Sequence, residues 1–244
     1  MAGTNSTDRF LMDFAAPAAG AIFSSSLALG PMPAVLEARR AEMLGDVNPD
    51  VFPVLFVNCV AWCIYSVNIK NSWLFFGNIA GVLSGFFYLL SAYGLSAAKV
   101  RQKLEVMAIG LAAALVLTCF AAVAVWEEHR TDLLGFFANA IVFAVFSSPL
   151  STFGDVIKTK NSASINRPFG IIQVFNCIVW VSYALYIHDN YLLVPNLVGL
   201  VLGVIQVFLM VIYPATVIPK ASDGEPPLLD GDVLSQQPAA AADV

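Results

Sequence analysis

Four asparagines, Asn58, Asn78, Asn176 and Asn196, sit inside stretches otherwise rich in Val, Leu, Ile, Phe and Ala. Trp62 follows Asn58 by one helical turn, and Trp180 follows Asn176 in the same way, so each indole shares a face with its amide. An amide left unpaired in hydrocarbon costs several kcal/mol, so these side chains must meet protein or a water-filled cavity. Amide bonds between helices would meet that demand. Two pairs set by one spacing better suit a shared pocket. Amide donors and acceptors around an axis fit a neutral, polyhydroxylated solute, and indole faces fit the apolar face of a sugar ring. Core packing is the competing reading of Trp62 and Trp180. Trp73 and Trp126, near segment ends, read as interfacial anchors.

Other chemistries lack their residues. Proton relays place Asp, Glu or His within the membrane. Here Asp13, Asp155 and Asp189 lie near segment ends and the interiors hold no acid. Passive facilitation is therefore expected. The seventh segment has no Lys for a retinal Schiff base. No Ser-His-Asp set, paired carboxylates or metal-ligand spacing falls in one layer, so no enzyme, cofactor or metal is expected. Cys59, Cys63, Cys119 and Cys177 all lie in apolar runs and read as small buried residues, not disulfide partners.

The elements that carry these residues follow from composition. The chain has 244 residues, 59% hydrophobic and 12% charged. Soluble domains carry about 25% charge, so this chain cannot cover a water-facing surface. Between Val51 and Tyr93 the only Asp, Glu, Lys or Arg is Lys70. Runs of about 20 apolar residues are what a bilayer requires of a helix. A soluble enzyme, a nucleic-acid binder and a disulfide-stapled secreted module are excluded; the lipid bilayer is the solvent.

Seven apolar segments are predicted at roughly 11–33, 51–69, 73–96, 104–126, 133–154, 169–187 and 191–218. The stretch from Met1 to Asp13 has two acids, one base and no basic n-region, so the first helix is expected to stay as a signal anchor. With the N-terminus outside, Arg39, Arg40, Lys99, Arg101, Lys103, Lys158, Lys160, Arg167 and Lys220 lie inside. Only Arg9, Lys70 and Arg130 lie outside, a positive-inside bias for N-out and C-in. The tail 219–244, with four prolines, five acids and one lysine, is expected to be disordered.

Aligned on itself at an offset of 118, the chain repeats. Pro31 meets Pro149, Asn48 meets Asn166, and Asn58-Cys59 meets Asn176-Cys177. Trp62 meets Trp180, Tyr65 meets Tyr183, Ile69 meets Ile187 and Leu74 meets Leu192. Asn78 meets Asn196, Gly81 meets Gly199, and Gly85 meets Gly203. Helices 1–3 thus match helices 5–7, with helix 4 between them. An offset of four helices keeps both copies in one orientation, so the repeats are parallel. Repeats with a site at their midplane interface are a transporter signature.

The expected fold is an all-α membrane protein, seven transmembrane helices as two parallel three-helix bundles (3+1+3). The units are an outer tail at 1–10, a first repeat at 11–96, a linker helix at 97–128, a second repeat at 129–218 and a cytoplasmic tail at 219–244. Pro31 and Pro149, a matched pair within apolar helix, suggest hinges of an inner gate. Pro168 and Pro53 mark the starts of helices 6 and 2. The paired glycines of helices 3 and 7 permit close helix contact.

Pro31-Met-Pro-Ala, Asn58-Cys-Val-Ala-Trp62-Cys-Ile-Tyr65 and Asn78-Ile-Ala-Gly81 resemble the first MtN3/saliva domain of a SWEET sugar transporter. Pro149-Leu-Ser-Thr-Phe, Asn176-Cys-Ile-Val-Trp180-Val-Ser-Tyr183 and Pro195-Asn196-Leu-Val-Gly199 resemble the second. The resemblance spans roughly residues 15–215. It implies a facilitative, bidirectional uniporter for mono- or disaccharides such as glucose or sucrose, with each unit packed in the order 1-3-2. It implies Asn78 and Asn196 as the central sugar-binding pair, Trp62 and Trp180 as pocket walls, and Asn58 and Asn176 beside them. Leu27, Val145, Ser24 and Val142 would set pocket width. Pro31, Pro149, Pro168 and Pro53 would serve the inner gate, and Tyr65, Tyr183, Lys70 and Asp189 the outer. The partner of Pro168 in the repeat is Asp50, between Pro49 and Pro53, and Asn-Ile-Ala-Gly stands where the family often has Asn-Gly-Phe-Gly.

Two other classes compete. A repeat-built carrier for an amino acid or organic acid would need a charged pocket residue, and a seven-helix receptor has no reason to repeat three helices. The plasma membrane is the expected residence, with endomembranes as the alternative. Family members can associate, and no homo-oligomer number is implied.

Overall fold

Helices that are apolar around their whole circumference have no preferred water-facing side, and they account for this molecule. The computed structural model of the chain describes residues 6–165 and 167–215, so Asn166, Lys220 and the 219–244 tail lie outside the described residues. Its elements are α1 (Ser6–Phe10), a π turn (Leu11–Ala15), α2 (Ala16–Leu29), α3 (Met32–Arg40), α4 (Val51–Asn68) and α5 (Ser72–Leu95). Then come α6 (Ala98–Phe120), a second π turn (Ala121–Val125), a 3₁₀ turn (Glu127–His129), α7 (Arg130–Val145), α8 (Ser147–Thr159), α9 (Arg167–Ile187) and α10 (Asn190–Ile212). Among the described residues there is no strand, and seven spans are long and apolar enough to cross a membrane.

Several boundaries differ from the sequence expectation. The first span runs from Leu11 to Arg40 and the fifth from Glu127 to Thr159, each longer than expected because helix continues beyond its break. The fourth starts at Ala98, since Lys99, Arg101 and Lys103 can extend their charges outward from the first two helical turns. The seventh ends at Ile212, where Tyr213, held non-helical before Pro214, stops it.

Both breaks have a local cause. Pro31 lacks the N–H that would bond Leu27, and Gly30 N–H takes that carbonyl instead, at 3.1 Å. The Ala28 carbonyl then accepts from Ser84 Oγ (3.2 Å) and Tyr88 Oη (3.0 Å) of α5. In the fifth span the break falls at Phe146, three residues before Pro149, and the Phe146 carbonyl accepts from Leu150 N–H at 3.4 Å. Pro53 and Pro168 lie in the first turns of α4 and α9, where a missing N–H costs nothing.

Packing follows the order first, third, second. α5 packs on both α2 and α4, and α10 packs on both α7 and α9. Across the repeats α2 meets α9 and α4 meets α7, while α6 rests mainly on α4. Close approach explains the glycines at Gly85 and Gly203. A Cβ there would stand 3.2 Å from the Phe56 backbone and 2.9 Å from Val174 Cγ2.

The core is divided unequally. At one end a single cluster joins the repeats through Trp62, Tyr65, Leu74, Trp180, Tyr183 and Leu192. At the end rich in Lys and Arg each repeat has its own cluster. One is built on Val35, Phe52 and Tyr88, the other on Phe153, Val156 and Leu209. These are the tyrosine end and the basic end.

Candidate functional site

The connections that begin α5 and α10 are built alike. Lys70 and His188, at matched positions, take positive φ of 57° and 55° and close α4 and α9. Asn71 and Asp189 follow as N-caps, their side chains accepting from Leu74 N–H and Leu192 N–H at 3.1 and 3.0 Å. Each cap also reaches across the repeat. Tyr65 Oη donates to Asp189 Oδ1 at 2.9 Å, and Asn71 Nδ2 donates to Tyr183 Oη at 3.1 Å. Tyr65 is 1% exposed and Tyr183 7%. Asp189 Oδ2 is buried and has no hydrogen-bond partner among the described residues.

Two more bonds cross at this end. Asn68 Nδ2 donates to Thr131 Oγ1 (2.9 Å) and Tyr186 Oη to Asp13 Oδ1 (2.8 Å). Above the tyrosines lies a cleft of about 730 Å³, edged by Lys70, Trp73, His188 and Tyr191. Below them, Trp62 packs edge-on to Tyr65 with centroids 5.6 Å apart, and Trp180 to Tyr183 at 5.9 Å.

Beyond the indoles is a second cavity of about 130 Å³, bounded by both repeats. Of the sequence-expected residues, Asn78, Asn196, Trp62, Trp180, Asn58, Ser24 and Val142 line it. Asn176, Leu27 and Val145 do not. Asn78 and Asn196 are held alike, each donating Nδ2 to the carbonyl one turn back, Leu74 or Leu192, at 2.8 Å. That leaves each amide oxygen available to a solute. A hydroxyl-rich molecule between them would meet two acceptors and two indoles.

The two tryptophans are held differently. Trp180 Nε1 donates to Ser24 Oγ (2.9 Å), and Ser24 donates on to Asn176 Oδ1 (2.8 Å). The repeat counterpart of Ser24 is Val142, which offers no such bridge. Space near Trp180 is tight, since a Cβ at Gly20 would stand 2.9 Å from its Cε2.

Sequence reasoning missed Phe146, Gln173, Cys177, Leu74, Leu192 and Pro195 on the cavity wall. It also missed Asn139, which is buried and donates Nδ2 at 3.0 Å to the Tyr191 carbonyl that Pro195 deprives of its helical donor. The usable signal was departure from the repeat. Phe146 stands where the first copy has Ala28, and Gln173 where it has Leu55. Among the gate residues, Pro31 is partly buried at the first break, Pro53 is buried, Pro168 is exposed, and Pro149 lies within α8. Among the described residues no group of His, Cys, Asp and Glu could hold a metal ion.

Residues 132–217 match the family described as "Sugar efflux transporter for intercellular exchange". The chain is similar to the sugar transporter SWEET1 of Drosophila pseudoobscura pseudoobscura, 28% identical over 76% of this chain and 81% of that protein. It is similar to the bidirectional sugar transporter SWEET5 of Arabidopsis thaliana, 24% identical over 81% of this chain and 84% of that one. A third relative is the bidirectional sugar transporter SWEET7b of Oryza sativa subsp. japonica, 28% identical over 84% and 78%. In three dimensions it is similar to a eukaryotic SWEET transporter, with a TM-score of 0.76 at 22% identity over 83% of this chain and 97% of that one. At that identity the likeness is one of fold.

Proposed function

Since this chain belongs to the SWEET (MtN3/saliva) family, we propose that it is a bidirectional uniporter for mono- or disaccharides. It is a multi-pass membrane transporter of sugars and not an enzyme. The observation that carries the finer reading is the cavity between repeats, walled by Asn78, Asn196, Trp62 and Trp180. Sugar hydroxyls exchange water for the two amides, while the ring stacks on indole.

Alternating access follows from the unequal ends. The two units, 11–96 and 129–218, rock about the helix breaks near Pro31 and Phe146, with the helix in 97–128 between them. The tyrosine end faces outside and the basic end the cytoplasm, as the distribution of Lys and Arg favours. Tyr65, Tyr183, Lys70 and Asp189 form the outer gate; Pro31, Pro149, Pro168 and Pro53 shape the inner. Asn58, Asn176, Ser24, Leu27, Val142 and Val145 set the pocket. Among the described residues no Asp or Glu lines the cavity, which supports net flux that follows the concentration gradient. The plasma membrane is the proposed residence.

The test is radiolabelled glucose and sucrose uptake in cells lacking their own sugar carriers, at two external pH values, with and without a protonophore. Saturable uptake of either sugar, indifferent to the protonophore, is expected. Uptake that collapses with the protonophore overturns the uniport mechanism. No uptake, with the protein at the cell surface, overturns the sugar reading.

A further inference from the structure

The cavity is nearly symmetric in shape and unequal in polar chemistry. Its polar side chains are Ser24, Asn58, Asn78, Gln173 and Asn196. Ser24 is committed twice, to Asn176 and Trp180. Asn78 and Asn196 each bond their own helix, and Gln173 Nε2 lies 3.2 Å from Cys177 Sγ. Asn58 is the exception. Its Oδ1 is buried without a partner, and among the described residues its amide makes no hydrogen bond.

The cause lies across the repeat. Asn176, the counterpart of Asn58, is buried and withdrawn from the cavity wall because Ser24 holds its Oδ1. Where the other copy would need a serine to hold Asn58, it has Val142. Trp62 likewise has no counterpart of the Ser24 bond that fixes Trp180. A buried polar group is normally satisfied, so one left without a partner in a cavity calls for an explanation. A ligand hydroxyl supplies it.

We propose that the sugar is read from one side, with the free amide of Asn58 taking a ring hydroxyl while Asn176 serves as a post for Ser24 and Trp180. Beside the matched acceptors of Asn78 and Asn196, the repeat thus gives one unmatched reading position, and the sugar sits in a single orientation against the first repeat. This rests on the sugar reading above and adds the residue that discriminates among sugars differing at one hydroxyl. Gain or loss of one neutral hydrogen bond changes binding by about fivefold.

The experiment measures uptake of glucose and its monodeoxy analogues by the full-length protein, as wild type, Asn58→Leu and Asn176→Leu. Leucine repeats the heavy-atom branching of asparagine, with bulkier methyl groups, and removes the amide. In the wild type one analogue should be carried about fivefold less efficiently for want of the Asn58 contact. In Asn58→Leu the parent sugar should fall to the level of that analogue, so the ratio between them approaches one. In Asn176→Leu overall uptake should drop and the ratio persist. Asn58→Ala gives the same readout if the leucine variant does not reach the surface.

An unchanged analogue ratio in both Asn58 variants overturns the one-sided reading and leaves the uniporter standing. A ratio erased by Asn176→Leu instead overturns it as well. A wild type that carries no sugar overturns both readings.

Discussion

The tyrosine end and the basic end of this molecule are built from the same repeated helices, yet their polar contacts run in opposite directions. At the tyrosine end four bonds cross between repeats, Tyr65 to Asp189, Asn71 to Tyr183, Asn68 to Thr131 and Tyr186 to Asp13, beside those of Trp73 and Tyr191 that stay within one. At the basic end the following contacts stay within a repeat or reach the linker helix. Arg39 donates to Ser91 (3.1 Å) and lies over the Phe87 ring, Lys103 pairs with Asp50, and Lys160 donates to Tyr213 (3.0 Å). The apolar clusters divide the same way, one shared and two separate. On the proposed alternating-access reading, a bundle sewn across one end and separately finished at the other is closed at the first and prepared to part at the second. The difference between ends records a conformation as well as an architecture.

The comparison can be broken most completely by fixing the sewn end. Asn68→Cys with Thr131→Cys, bridged by a bifunctional thiol reagent, should reduce sugar uptake to background and recover it when the bridge is cleaved. Asn78→Ala and Asn196→Ala should likewise abolish uptake while leaving delivery to the membrane intact, measured by surface labelling. Normal uptake by both would remove the pocket assignment on which the comparison depends.

Smaller changes sharpen it. Tyr65→Phe loses a bond to a carboxylate, worth roughly 1.5–3 kcal/mol, whereas Tyr183→Phe loses a neutral one, worth about 1 kcal/mol. Spin labels at Lys70→Cys and His188→Cys should therefore show more separated populations in Tyr65→Phe than in Tyr183→Phe. Equal distributions would mean the carboxylate adds nothing to closure. At the basic end, Tyr88→Phe should lower stability by about 1 kcal/mol in thermal unfolding. It should leave the label separation unchanged, because its bond to Ala28 lies within one repeat. Lys103→Ala is expected to be the mildest, within about 1 kcal/mol, since its pairing with Asp50 is largely exposed.

Much of this was legible in the sequence because the repeat carries it. Matched Asn, Trp and Tyr indicated which helices correspond, and the charges marked the neighbourhood of the span ends, although helix runs on through Lys99, Arg101 and Lys103. The break at Phe146 was not legible, because a proline disturbs the turn before it and the sequence does not say which peptide will yield. The withdrawal of Asn176 was hidden more deeply. It depends on Ser24, 152 residues away in the chain, at a position where the copies differ. Identities between repeats reveal the frame, whereas the unequal site is written in the positions that do not match. Phe146, Gln173 and Ser24 are all of that kind.

Asp189 has a consequence for the energy of cycling. Its Oδ1 accepts from Leu192 N–H and from Tyr65 at once, while its Oδ2 is buried bare. When the tyrosine swings away, the carboxylate still caps α10, and water can reach the oxygen that closure had stripped. The bond lost on opening would thus be opposed by hydration regained. On the proposed uniport mechanism, in which flux follows the solute's gradient alone, hydration of that oxygen helps keep both faces within thermal reach.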